Sequence, residues 1–70
     1  MHRAETYLQW VERHIREAEC RITRQEMLIA KLEQGGQTAA LPYASDLLRA
    51  TLAGWDASRA HRGALLLRRN

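Results

Sequence analysis

The chain has little of what usually holds a very small domain together. Cys20 is the only cysteine in 70 residues, so no disulfide can form within the chain. Its three histidines are scattered, without the ligand spacing of a zinc site. A chain of this length hides only about 60% of its unfolded surface. We therefore expect a second copy or a partner chain to contribute to its stability.

Other shortages exclude whole classes of protein. There is no phenylalanine and only four aromatic residues, which argues against an aromatic-rich β-sandwich core. No apolar run approaches the ~18–20 residues that cross a bilayer, so no membrane partner is expected. The segment 1–19 is charged throughout, unlike the apolar core of a secretory signal. With an unpaired cysteine, this favours a cytoplasmic location.

The first half of the chain carries a heptad repeat. Residues 1–34 contain neither glycine nor proline, and apolar positions recur with alternating spacings of 3 and 4. Every e position of the repeat is a glutamate: Glu5, Glu12, Glu19, Glu26 and Glu33. This pattern is typical of a coiled-coil helix. It predicts helix 1 from about residue 3 to residue 34.

Gly35 and Gly36 predict the end of this helix, because glycine adopts a positive φ without steric cost. A turn is expected over residues 35–41 and helix 2 over about residues 42–68, with Pro42 tolerated near its start. The second helix has a less regular apolar face, which Gly54 and Gly63 weaken. No alternation of period two indicates a strand. The fold class is therefore all-α, with one domain.

A short connection predicts an antiparallel two-helix hairpin, resembling a coiled coil. With the turn centred near Thr38, Ile22 is expected opposite Gly54 and Trp55, and Ile15 opposite His61. Gln25 opposite Thr51 is either a buried polar layer that fixes the register or a solvated edge. The predicted hairpin core comprises Leu8, Val11, Ile15, Ala18, Ile22, Gln25, Ile29, Leu32, Leu48, Thr51, Trp55 and Leu65.

A second set of residues lies off this seam at helical spacing. It contains Tyr7, Trp10, His14 and Leu28. Exposed aromatic residues next to a leucine are typical of a protein contact surface. Together with the small size, they predict a homodimer that forms a four-helix bundle. The function favoured is a non-catalytic protein–protein interaction or regulatory module whose protein partner is unidentified.

Nucleic-acid binding is the alternative function. Residues 1–34 carry six basic and six acidic side chains, so the net charge of +3 lies in the second half. Four arginines there are candidate phosphate contacts: Arg59, Arg62, Arg68 and Arg69. The glutamate row of helix 1 offers another explanation, since it is expected to form ion pairs with this basic helix.

No pattern predicts catalysis or a cofactor, because the chain lacks nucleophile–base, phosphate-loop and zinc-finger spacings. His14 and His61 are expected near one level, where they form either a pH-dependent or metal-binding pair or ordinary exposed histidines, the latter being favoured. Cys20 lies near Arg16, Arg21 and Arg24, which lower a thiol pKa, but an inert cysteine is favoured. The prediction is that the protein is not an enzyme and binds no metal.

Parts of the sequence are similar to a set of short uncharacterised bacterial proteins. The similarity runs through Val11–Glu19, Arg21-Ile22 and Arg24-Gln25 to Leu28–Ala30, Leu32-Glu33 and the glycine turn, and resumes at Leu47-Leu48, His61-Arg62 and Leu65-Leu66. Residues 39–43 look like additional material, and Ser58 stands where these proteins are expected to have a histidine. The resemblance implies a small helical hairpin and adds no chemistry.

Overall fold

The chain forms two long helices that pack against each other. A computed structural model describes residues 5–68, with α1 at Tyr7–Gln34, a 3₁₀ turn at Thr38–Ala40 and α2 at Leu41–Leu67. All regular structure in residues 5–68 is helical, which confirms the predicted fold class. Helix α2 extends from one residue before its predicted start to one before its predicted end.

Helix α1 begins at Tyr7, later than the predicted start near residue 3; residues 1–4 lie outside the described part of the chain. The Thr6 side chain accepts a hydrogen bond from the backbone N–H of Gln9 at 3.1 Å. In return, the Gln9 side chain accepts one from the backbone N–H of Thr6 at 2.9 Å. This capping box satisfies two backbone donors and fixes the start of the helix.

Helix α1 ends in a Schellman motif at the paired glycines. The backbone N–H of Gln37 donates to the carbonyl of Leu32 at 2.9 Å, and that of Gly36 donates to Glu33 at 3.3 Å. Gly36 has a φ of 72°, which glycine adopts readily and other residues rarely do. The chain then enters the 3₁₀ turn and continues directly into α2, whose first turn contains Pro42.

The turn also sets which residues of the two helices face each other. Residues 35–40 connect α1 to α2, and the contacts of Glu19 with Trp55 and of Tyr7 with His61 centre the pairing of the helices nearer Gly36 than Thr38. The predicted register is therefore wrong by about one helical turn. The Trp55 indole donates to Glu19, which lies three residues before Ile22 on α1. At the open end, His61 contacts Tyr7 rather than lying opposite Ile15.

The seam between the helices buries few side chains completely. Only Val11, Ile15 and Ala44 are buried among residues 5–68, at 2%, 3% and 5% exposure. Every other residue predicted for the hairpin core is half-buried: Leu8, Ala18, Ile22, Gln25, Ile29, Leu32, Leu48, Thr51, Trp55 and Leu65. The Cα atoms span 51 × 30 × 13 Å, so the hairpin is one helix thick and both broad faces are open.

Two glycines give a matched test of the backbone. Gly36→Ala should lower the free energy of unfolding by about 1–2 kcal/mol, because alanine is strained at positive φ. Gly63→Ala should raise it by up to about 1 kcal/mol, since the position is inside α2 and an added Cβ meets nothing within 4 Å. Urea unfolding at one fixed protein concentration measures both. Shifts of the same sign would contradict this description of the turn.

Candidate functional site

An aromatic cluster lies at the open end of the hairpin. The Tyr7 and Trp10 rings stack with centroids 5.8 Å apart, and the Trp10 and His14 rings are 4.1 Å apart. These residues meet because positions three and four apart share one side of a helix. His61 of α2 completes the cluster, with its Nε2 in hydrogen-bond contact with the Tyr7 hydroxyl at 2.8 Å. The aromatic cluster therefore joins both helices.

Much of this cluster stays accessible. Tyr7 and Trp10 are 56% and 42% exposed despite their contacts. Leu28, the fourth residue predicted for the contact surface, is 48% exposed. It lies about 27 Å further along α1 than Trp10, at 1.5 Å per residue. The predicted surface is thus divided between the open end and the turn end of the molecule.

A groove runs between these two ends along the interhelical seam. Its volume is about 480 Å³, and its floor includes Ala18, Gln25, Thr51 and Trp55. The α2 side of the groove is low, because Ala50 and Gly54 line it and a Cβ added at Gly54 would meet nothing within 4 Å. Ala57 continues this low side into the shallow cavity beside the aromatic cluster.

Sequence reasoning missed this groove. Gly54 was predicted to lie opposite Ile22 and to weaken α2, but not to line a groove, although Ala50, Gly54 and Ala57 are spaced four and three residues apart. That spacing places three small residues on one side of a helix. The signal was present in the sequence, but small residues carry no hydrophobic periodicity and were overlooked.

The Gln25–Thr51 layer does not form a cross-helix hydrogen bond. The Thr51 hydroxyl donates to the carbonyl of Leu47 in its own helix at 3.0 Å. The Gln25 Oε1 is buried and has no hydrogen-bond partner among the described residues. An unsatisfied buried acceptor is costly. Gln25 also lines the groove, while its Oε1 is closed to solvent in the single hairpin.

The expected ion pairs between the glutamate row and the arginines of α2 are not found within residues 5–68. The three ion pairs there join residues of the same segment: Glu5–Arg13, Arg13–Glu17 and Asp46–Arg49. Instead of an interhelical ion pair, Trp55 links a glutamate of α1 to an arginine of α2. Its Nε1 donates to Glu19 at 3.1 Å, and the Arg59 guanidinium lies 4.6 Å from its ring centroid. A tryptophan therefore connects the acidic and basic side chains.

The arginines proposed to contact nucleic acid do not line one stripe of α2. Successive helical residues turn by about 100°, which puts Arg59 and Arg68 on opposite sides of the helix axis. Arg62 is half-buried beside the seam. Arg69 lies outside the described residues.

The residues with potential metal or thiol chemistry are dispersed. His14 and His61 line the same shallow cavity, but no group of three potential ligands from His, Cys, Asp and Glu occurs in the part of the chain that the structure describes. Cys20 is exposed on α1 in an open depression with Arg16, Arg21 and Arg24.

Arg13 ties the residues before α1 to the helix. Its Nε donates to Glu5 at 3.1 Å, and its Nη1 lies 3.4 Å from Glu17. The hydrogen bond from Arg13 holds the pKa of the Glu5 carboxyl below its ordinary value of 4.5. The same contact raises the pKa of Arg13.

Comparison with known proteins gives no assignment. No family model matches the chain, and neither a curated protein nor a solved structure matches it significantly. Within residues 5–68, neither helix has an apolar stretch of the length that a bilayer crossing needs. The candidate site thus consists of the aromatic cluster, the adjoining groove and Leu28.

Tyr7→Phe tests whether the aromatic cluster holds the open end of the hairpin together. Loss of the hydroxyl contact with His61 should lower the free energy of unfolding by about 0.5–1.5 kcal/mol. Tyr43→Phe is the control, since Tyr43 is 71% exposed in the single hairpin, and it should change little at a protein concentration too low for association. Urea unfolding followed by circular dichroism compares the two. Equal stabilities would show that the hydroxyl contact contributes nothing.

The Glu5–Arg13 contact predicts a pH effect of defined sign. Because the folded-state pKa of Glu5 is lowered, its contribution is present above the unfolded-state value and is lost as pH falls through the folded value. Arg13→Gln should therefore reduce stability at neutral pH and have less effect in acid. NMR titration should find a lower pKa for Glu5 in the parent protein than in the Arg13→Gln variant. Identical titration of Glu5 in both proteins would contradict the assignment.

Proposed function

We propose that this chain is a non-catalytic protein-interaction or regulatory module that works as a homodimeric helical hairpin. Two copies would stack through one broad face to form a four-helix bundle, and the assembled bundle would dock another protein. The observation that carries the proposal is the concentration of exposed large apolar side chains on one face of a hairpin that is one helix thick.

Helical geometry identifies this face, which we call the groove face. The groove and the aromatic cluster mark its position on both helices. Turning by about 100° per residue, α1 directs Trp10 and Leu28 to this face, and α2 directs Leu47 to it. The exposed large apolar residues of the groove face are Tyr7, Trp10, Leu28, Tyr43 and Leu47. They account for five of the nine in residues 5–68.

The groove face is also large enough for a stable contact. A standard interface covers about 800 Å² on each partner. The hairpin is 51 Å long and 30 Å wide at its Cα atoms, so one broad face offers that area. Its aromatic residues match the composition of interface cores, in which tyrosine and tryptophan are enriched. These features support a second copy covering the face.

Trp10→Ala tests the proposed dimer surface. The substitution should leave the helical circular dichroism intact and raise the dimer dissociation constant by about tenfold or more, because it removes a large aromatic from the contact. Leu52→Ala is the matched control: Leu52 is 38% exposed and lies on the other broad face. Sedimentation equilibrium measures both. A strictly monomeric parent protein would overturn the proposal, and an unchanged Trp10→Ala dimer would exclude this surface.

Nucleic-acid binding stays a prediction from the charge distribution. No described arrangement favours it over the dimer module, because Arg59 stacks on Trp55 and Arg68 lies on the other side of α2. A fluorescence binding assay over a range of salt concentrations addresses it directly. Phosphate-driven binding should weaken steeply with salt and with substitution of Arg59, Arg62 and Arg68 by alanine.

A further inference from the structure

We infer that the second copy is related by a two-fold axis that crosses the hairpin at the level of Glu19 and Gly54. The axis lies in the plane between the two copies and is perpendicular to the long axes of the helices. It places α1 antiparallel to α1 of the second copy, and α2 antiparallel to α2. This inference rests on the proposed homodimer and specifies its geometry.

The exposed residues of α1 are complementary to themselves about Glu19. Trp10 and Leu28 are each nine residues from Glu19, so a two-fold axis there brings the tryptophan of one copy to the leucine of the other. Glu17 and Arg21 are each two residues away, and the same axis pairs opposite charges. Each contact occurs twice. The Trp10 ring therefore meets a leucine, and the Glu17 carboxylate meets a guanidinium group.

A third pair of α1 residues lies between the Trp10–Leu28 pair and the Glu17–Arg21 pair. His14 and Arg24 are each five residues from Glu19 and come opposite each other. A planar guanidinium stacks on an aromatic ring, so Arg24 of one copy and the imidazole of His14 of the other are compatible neighbours. Among the groove-face residues of α1, the register thus places no two carboxylates and no two Lys or Arg side chains opposite each other.

On α2, small side chains lie where the same axis would cross the helix, and larger side chains lie further from it. Gly54 is at the centre, and Ala50 and Ala57 flank it at four and three residues. Small side chains at a crossing point allow two helices to approach closely. Larger groove-face residues lie further out, where Leu47 and His61 are each seven residues from Gly54 and come opposite each other. The two α2 helices can then cross closely at Gly54.

The centres found for the two helices lie at the same height in the hairpin. The residue after Gly54, Trp55, donates its indole hydrogen bond to Glu19 at 3.1 Å. A single axis perpendicular to the helices can pass both Glu19 and Gly54 only if the two residues lie at the same position along the length of the hairpin. The register of α1 came from its exposed side chains and that of α2 from its small residues, so their agreement in the folded hairpin supports the two-fold axis.

The unpartnered Gln25 Oε1 provides a further observation at this surface. It is buried, lacks a hydrogen-bond partner among the described residues, and lines the groove that a second copy would cover. The axis brings Ser58 of the second copy to within about one helical turn of this level. The Ser58 hydroxyl is a hydrogen-bond donor, and it would reach Oε1 once the Gln25 side chain turned toward the groove.

A disulfide between copies tests the position of the axis. Gly54→Cys is made in a Cys20→Ser background, with Gly63→Cys as the matched control. Both glycines lie within α2, and an added Cβ meets nothing within 4 Å at either. A residue on a two-fold axis lies next to its own copy, within the Cα separation of about 4.4–6.8 Å that a disulfide needs. Mild oxidation should therefore cross-link Gly54→Cys rapidly. Gly63→Cys, on the opposite side of α2, and Leu47→Cys, on the groove face but seven residues from the axis, should cross-link slowly or not at all.

Sedimentation of the reduced proteins separates failure of the axis from failure of the dimer. A monomeric parent would overturn both proposals. A dimeric parent whose Gly54→Cys variant does not cross-link, or cross-links no faster than Gly63→Cys, would overturn the axis and leave the homodimer standing.

Charge exchange provides a second, non-covalent test of the same axis. Glu17→Arg and Arg21→Glu should each weaken the dimer severalfold, because each places like charges opposite each other twice. The double variant should recover the parent dissociation constant, since the pair is restored with its signs reversed. A double variant as weak as the single ones, in a chain that is still helical, would contradict the register.

Discussion

One seam between two helices is the constraint on which the rest of this structure depends. Each helix can bury a single stripe against the other, and only Val11, Ile15 and Ala44 become fully buried within residues 5–68. The remaining seam residues keep part of their surface in water, and both broad faces stay open. Because stability comes chiefly from apolar area removed from water, such a hairpin gains much from a second layer.

The turn determines what the open faces present. Residues 35–40 connect the two helices, and the path of this connection sets the levels at which the helices meet. Trp55 consequently reaches Glu19, and His61 reaches Tyr7. The first contact takes the place of the expected interhelical ion pairs, while the second ties the aromatic cluster to α2. The conformation of the turn thus determines which side chains of the two helices are in contact along the full length of the hairpin.

Local patterns in the sequence predicted the helices well, because heptad spacing and paired glycines act over a few residues. Residues that depend on distant neighbours were harder to predict. The register changed with a small shift of the turn centre, and the ion pairs of the glutamate row depended on where the Trp55 ring would lie. The capping box at Thr6 and the small residues around Gly54 carried local signals that apolar periodicity does not detect. The exposed aromatic residues of α1 were predicted, but their contact with His61 was not.

The dimer proposal can be tested most directly by the thermal unfolding midpoint of the unmodified chain as a function of its concentration. Folding that is coupled to association stabilises the protein by mass action. Circular dichroism from low micromolar to near-millimolar protein should therefore show a midpoint that rises steadily with concentration. A midpoint that stays constant over this range, with full helicity at the lowest concentration, would show that the hairpin is stable alone and would contradict the proposal.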